Sequence, residues 1–305
     1  MRALSILFLA ACGDKPPPES STVDVRCQGN TINATVAAIA QPLALNRLGS
    51  QVDEGRIFAL QSDLVTDESG AVRLRDGLRP RPLVLRAAAG QCLNLTVKNH
   101  LDEPVDLHID GTQWRTGQAD DGSEIAAGGT GTATLFVAEE GTFLLYSTDD
   151  DQRAAGLFGA LNVEPAGSEW YRSQVTAADL AAASKRGDEG TPIIDYDAVY
   201  SGDHPLAGRP ILSMVDSNNE LVYADPVAMI TGADRGMFAS LDISMAANLP
   251  GRRKPFREVT VIYHDLDAVA QQAFSEVYAP TLEEGGDAEA HAEAVALGAT
   301  LSGGA

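Results

Sequence analysis

Basic residues are scarce: 22 Lys+Arg stand against 43 Asp+Glu in 305 residues, a formal net charge of −21. That sign opposes binding to nucleic-acid phosphates or anionic lipid headgroups, because like charges repel. Cysteine is nearly absent, with Cys12, Cys27 and Cys92 making up the three. Three are too few for a disulfide-built mini-protein, and they lack the Cys-x-x-Cys spacing of a zinc site. Beyond the N-terminus no apolar run reaches the roughly 18–20 residues that span a bilayer. No Ser sits in a Gly-x-Ser-x-Gly elbow, so nucleophilic Ser/His/Asp catalysis has no support. What is present is a chain 44 % hydrophobic, long enough to bury at least one full core and two smaller ones.

The N-terminus reads as an address. Arg2 precedes a short apolar stretch, Leu4 to Ala11, that ends in Leu9-Ala10-Ala11-Cys12. A charged start, an apolar middle and small residues before the cut are the parts of a secretory signal. The Leu-Ala-Ala-Cys end resembles the lipobox of bacterial lipoproteins, which implies cleavage before Cys12 and lipid attachment to its thiol. Lys15-Pro16-Pro17-Pro18-Glu19-Ser20-Ser21-Thr22 then forms a polar, Pro-rich tether with no pattern for packing. Outside the cytoplasm thiols tend to oxidise. With Cys12 taken by lipid, Cys27 and Cys92 leave one available bridge, the alternative being two free buried thiols.

From residue 25 to 165 the texture is β. Leu93, Leu95 and Val97 alternate with Asn94, Thr96 and Lys98, and Val105, Leu107 and Ile109 alternate with Asp106, His108 and Asp110. This is the period-2 pattern of half-buried strands. Phe143 and Leu145 belong to another strand, and Gly159, Leu161 and Val163 face one way on the last. Asp76-Gly77, Asp121-Gly122-Ser123, Gly128-Gly129 and Glu140-Gly141 supply turns between them. Many short strands so punctuated predict an antiparallel sandwich. Thr176-x-x-Asp179 is a capping box that opens a short Ala-rich helix, with Gly187 as a stop. Further strands are expected at 192–200, 210–215, 220–224, 226–231 and 256–264, and an Ala/Glu helix at 287–297.

Several blocks carry a resemblance. Arg79 to Arg86, Ala89-Gly90-Gln91-Cys92-Leu93, Val105 to Gly111, Glu139 to Thr148 and Gly156 to Ser168 follow one another as in the cupredoxin domains of bacterial multicopper oxidases. Gln41 to Gly49 and Ile57 to Leu60 upstream fit the same family. Phe256 to Asp265 resembles the strand that opens its next cupredoxin domain. The resemblance spans roughly residues 27–275. It implies an all-β fold: cupredoxin-like antiparallel β-sandwiches with short helices and an Ala/Glu-rich C-terminal tail. The expected organisation is a signal peptide at 1–11, a lipidated tether at 12–24 and a first cupredoxin-like domain at 25–167. A linker with a short helix follows at 168–190, then a partial second cupredoxin-like domain at 191–282 and a low-complexity helical tail at 283–305.

The family's chemistry does not carry over. Its trinuclear copper centre is held by paired His-x-His motifs, because copper favours imidazole nitrogens over carboxylate or hydroxyl oxygens. Here the first motif reads His108-Ile109-Asp110 and the second Tyr146-Ser147-Thr148, and no His-Cys-His occurs. None of the five histidines, His100, His108, His204, His264 and His291, lies two residues from another. The vestigial ligand positions are therefore His108, Asp110, Tyr146 and Thr148, with no catalytic residue and no cofactor expected. The resemblance implies a degenerate and truncated member: an exported lipoprotein, inactive alone, that serves as a binding or accessory module. Its expected partner is a protein of the cell envelope, either a full oxidase or a complementary subunit. Contact with the membrane is expected through the lipid only, and none with nucleic acid. The alternative is a copper-binding oxidoreductase subunit completed by a partner chain. Asp120-Asp121-Gly122-Ser123-Glu124 and Asp149-Asp150-Asp151 are dense in the oxygen donors calcium prefers, though acidic turns suit any acidic exported protein.

Overall fold

The computed structural model describes residues 31–44, 51–114, 124–187, 190–238 and 254–263. Cys12, Cys27, the N-terminal signal and tether, and the helix expected at 287–297 lie outside the described residues.

Nine strands build the main body. They are β1 (Ile32–Ala40), β2 (Arg56–Leu60), β3 (Leu83–Ala88), β4 (Cys92–Asn99), β5 (His108–Ile109), β6 (Thr112–Trp114), β7 (Thr130–Val137), β8 (Gly141–Tyr146) and β9 (Phe158–Glu164). One sheet has the order β6-β7-β4-β1-β2 and the other β3-β9-β8-β5. Each sheet contains one parallel pair, β1 with β4 and β3 with β9, and its other pairs are antiparallel. The two inner faces meet in one apolar core, with Val36, Phe58, Leu93, Leu95 and Leu135 from the first sheet and Leu85, Ile109, Leu145 and Leu161 from the second. This is an all-β, cupredoxin-like sandwich. Strand β4 keeps the expected alternation, with Leu93, Leu95 and Val97 inward.

Strand β1 departs from a one-sided pattern, and its composition explains why. Its other face carries Ala37 and Ile39 into a second cluster with Ile57 and Ala59, covered by Leu64, Val72 and Leu74 of the small hairpin Leu64–Thr66/Val72–Leu74. A strand packed on both faces loses polar alternation. The Ala-rich run Ala34 to Ala40 fits that space.

Beyond residue 167 the chain continues onto the same body. Strands β10 (Glu169–Arg172), β11 (Val227–Thr231) and β12 (Phe256–Val259) form a third, antiparallel sheet. Trp170, Met214, Leu221, Ala228, Ile230 and Phe238 join the core of the sandwich itself. The strand expected at 226–231 is present as β11, and of the one expected at 256–264 the first four residues form β12, while 260–263 are not strand. Residues 210–215 and 220–224 form isolated bridges instead, because they bond different neighbours in turn: Ile211 N–H to Ala198, Met214 N–H to Trp170, and Leu221 N–H to Asn33. The capping box is formed, since the Thr176 hydroxyl accepts from the Asp179 N–H and the Asp179 carboxylate accepts from the Thr176 N–H. The helix it opens, Ala177–Ala182, stops before Gly187. Gly187 instead lies in the connection of the hairpin Ser184–Arg186/Pro192–Ile194.

Candidate functional site

Antiparallel pairing of β5 with β8 sets Tyr146 opposite His108 and Leu145 opposite Ile109. Residues opposite one another share a face, so Leu145 and Ile109 enter the core and the two polar rings turn away from it. The rings lie 5.2 Å apart between centroids and are tilted by 59°. Asp110 follows at once, its N–H bonded to the Leu144 carbonyl. Gly111 then takes φ +67, and a Cβ there would meet the Phe143 ring at 2.2 Å, so the turn after Asp110 admits only glycine. This places the Asp110 carboxylate 3.4 Å from His108 Nε2 and 3.3 Å from the Tyr146 hydroxyl, which donates to it. His108 is 28 % exposed and Asp110 50 %, so the group opens to solvent. Partial burial and the Asp110 carboxylate push the Tyr146 phenol above its ordinary value. The Arg153 guanidinium stands over the Tyr146 ring at 5.6 Å.

Of the four positions singled out in the sequence, His108, Asp110 and Tyr146 come together. Thr148 belongs to a different arrangement. Its N–H donates to Asp106 Oδ1 at 3.0 Å, and its hydroxyl donates to Asp106 Oδ2. The Ser147 hydroxyl lies 2.7 Å from Asp106 Oδ1 and 2.9 Å from Gln152 Oε1, while Gln152 Nε2 donates to the Pro104 carbonyl at 2.7 Å. Asp106 is buried, at 4 % exposure, and both of its oxygens are occupied by donors. Asp106, Ser147 and Gln152 were not singled out in the sequence. Alternation puts Asp106 on the polar face with His108 and Asp110. A short helix, Asp150–Ala154, begins where the acidic run stands and is joined to Asp106 through the Ser147 hydroxyl, which lies between Asp106 and Gln152. Asp149 caps that helix by accepting from the Gln152 N–H, and Asp150 and Asp151 occupy its first turn, where negative charge suits the helix dipole. The run 149–151 is therefore explained as a helix start.

The donor set does not fit a copper centre. The cluster offers one imidazole, one carboxylate and one phenol, where copper favours several nitrogen or sulfur donors. The adjoining carboxylate, Asp106, is committed to Ser147 and Thr148. Among the described residues there is no group of three or more His, Cys, Asp or Glu side chains arranged to hold a metal ion. Cys92 is disulfide-bonded; Cys27, its expected partner, lies outside the described residues.

The multicopper oxidase family model matches residues 65–183. No curated protein matches the sequence. Among solved structures, a multi-copper oxidase from Pseudomonas thermotolerans is 19 % identical, with 45 % of this chain and 30 % of that one covered and a TM-score of 0.35. A copper nitrite reductase from Nitrosomonas europaea is 21 % identical over 45 % of this chain and 42 % of its own, with a TM-score of 0.34. A laccase from Pediococcus acidilactici is 21 % identical over 47 % and 28 %, with a TM-score of 0.33. The chain thus spans less than half the length of each of these proteins. No helix among the described residues is long and apolar enough to cross a membrane. Residues 65–183 are thus similar to the multicopper oxidase family, and the two-sheet body that most of them help to build is cupredoxin-like.

Proposed function

We propose that this protein is a non-catalytic binding or accessory module of the cell envelope, built on a multicopper-oxidase scaffold whose copper chemistry is lost. The observation that supports this reading is the cluster of His108, Asp110 and Tyr146, where oxygen donors bond one another in place of paired imidazoles. Fold alone supplies no activity. The scaffold therefore acts by presenting a surface to a protein partner. Copper reconstitution tests this. After incubation with excess cupric ion and desalting, we expect well under one copper per chain and no oxidation of a phenolic substrate. Stoichiometric copper with a spectrum of coupled cupric ions would overturn the proposal.

The same proposal places the module outside the cytoplasm, anchored by lipid at Cys12 through the Leu-Ala-Ala-Cys sequence. Two acyl chains suffice for stable membrane attachment, whereas one gives only marginal binding. The full chain is expected in the membrane fraction and labelled by radioactive palmitate. Cys12→Ser should be unlabelled and soluble; equal membrane recovery of both would count against the anchor.

A further inference from the structure

A second polar group lies inside the body, away from the cluster of His108, and nothing in the proposed function uses it. Arg86 of β3 is fully buried. Its Nη2 donates to Glu258 Oε1 of β12 at 2.6 Å, its Nη1 donates to the Asp225 carbonyl at 2.8 Å, and its Nε lies 3.9 Å from Glu164 Oε1 of β9. Asn162 Nδ2 also lies within bonding reach of Glu258 Oε1, at 2.6 Å, and of Thr260 Oγ1, at 2.7 Å. The Trp170 indole of β10 donates to Glu164 Oε2 at 2.9 Å. The buried Oε1 of Glu164 has no donor directed at it. The two carboxyl groups thus stand at one guanidinium, Glu164 beside its Nε and Glu258 beside its Nη2. The Asp225 carboxylate is turned to Arg81 and Arg172 and does not add to this charge.

Charge and hydrogen-bond accounting lead to one protonation state. With both carboxyls ionised, one guanidinium faces two negative charges in a buried seam, and Glu164 Oε1 is an unsatisfied carboxylate oxygen. Such an oxygen is costly to bury. A proton on Glu164 Oε1 removes the charge from that unpaired oxygen, makes it a donor facing the seam that holds Glu258, and leaves Arg86 balanced by one carboxylate. We propose that Glu164 and Glu258 share a proton over Arg86, and that this proton latches β12 to the sandwich, so that its removal at alkaline pH releases the strand.

The electrostatics agree in sign. Burial, then the Glu258 carboxylate, hold Glu164 well above the ordinary carboxylate range. Burial opposes ionisation of Glu258 as well, but its bonds to Glu164 and Arg86 outweigh that and keep it below its ordinary value. A group that binds its proton more tightly in the folded chain contributes stability that is full below its unfolded value and lost as pH rises toward its folded one. Titration of the two groups belongs to the pair. The loss falls on the seam they bridge, whose other members are Asn162, Trp170 and Thr260.

Hydrogen exchange on the full chain, corrected for intrinsic rates, tests the latch. Between pH 5.5 and 8.5 we expect protection of residues 227–231 and 256–260 to fall about tenfold or more, while β4 and β7 keep theirs. Glu164→Gln replaces the shared proton with a fixed amide donor and should abolish that fall. Glu258→Gln removes the second carboxylate and should reduce it. Infrared spectra at neutral pH should show the carbonyl stretch of a protonated carboxyl in the native chain and not in Glu164→Gln. A pH-independent seam, an equal fall in both variants, or no protonated-carboxyl band would overturn the proposal.

Discussion

Arg86→Met should destabilise the protein by about 3–5 kcal/mol, the range for removing one partner of a buried ion pair. The methionine fills most of the volume, so the loss is electrostatic more than steric. Glu258 keeps a negative charge beside the Asn162 amide and, at 3.5 Å, the Thr260 hydroxyl, and the Asp225 carbonyl loses the Arg86 donor as well. The deficit against the native chain should shrink at acid pH, where Glu258 takes up a proton as well and neither carboxyl needs a cation. Pairing Arg86→Met with Glu258→Gln should recover part of the loss at neutral pH, since it removes the stranded charge. Urea unfolding of the four proteins reads this directly through the midpoint at constant slope. A loss below about 1 kcal/mol for Arg86→Met would mean that the seam tolerates an uncompensated carboxylate, contrary to the desolvation argument.

Asp106→Ala is expected to cost about 3 kcal/mol, because hydrogen bonds to a buried charged group contribute about 1.5–3 kcal/mol each. Ser147 can turn to Gln152 Oε1 at 2.9 Å, but the Thr148 N–H bonds to the two Asp106 oxygens, and the substitution removes both. Asp106→Asn retains one acceptor oxygen and should lose less. Thr148→Val should fall between the native chain and Asp106→Ala, since it removes the hydroxyl bond and leaves the N–H bonded. Thermal and urea unfolding measure the order. If Asp106→Ala proves as stable as the native chain, the carboxylate is not what holds the β8 end against the helix Asp150–Ala154.

Strand β4 was legible because one face is solvated: Asn94, Thr96 and Lys98 interrupt the apolar residues at the correct period. The capping box at Thr176 was legible because it is local, needing only a hydroxyl and a carboxylate three residues apart. The single bridges of residues 210–224 were not, since alternation marks a strand but does not say whether one neighbour runs alongside it long enough to form a ladder. Helix Asp150–Ala154 was hidden by its own composition. Three consecutive Asp residues read equally well as an acidic turn, and five helical residues carry no usable periodicity. The partners of His108 were half visible: Asp110 stands two residues on in the sequence, whereas Tyr146 was named only through the resemblance and meets His108 through the register of β5 and β8.

By itself the sequence determined the atom types available at each position. An oxygen stands at residues 110, 146 and 148 whatever the fold, so paired imidazoles were excluded before any coordinates. It also fixed which strands have one apolar face, through a period that follows from the pleat alone. Only the tertiary structure decided what covers the other face. It brought Glu258 to Arg86 across 172 residues, tied Asp106 to Ser147 and Thr148 across 41 and 42 residues, and packed both faces of β1. Burial and charge pairing over such separations depend on which distant segments meet. Local pattern carries no information about that, and it is there that a carboxyl's proton is decided.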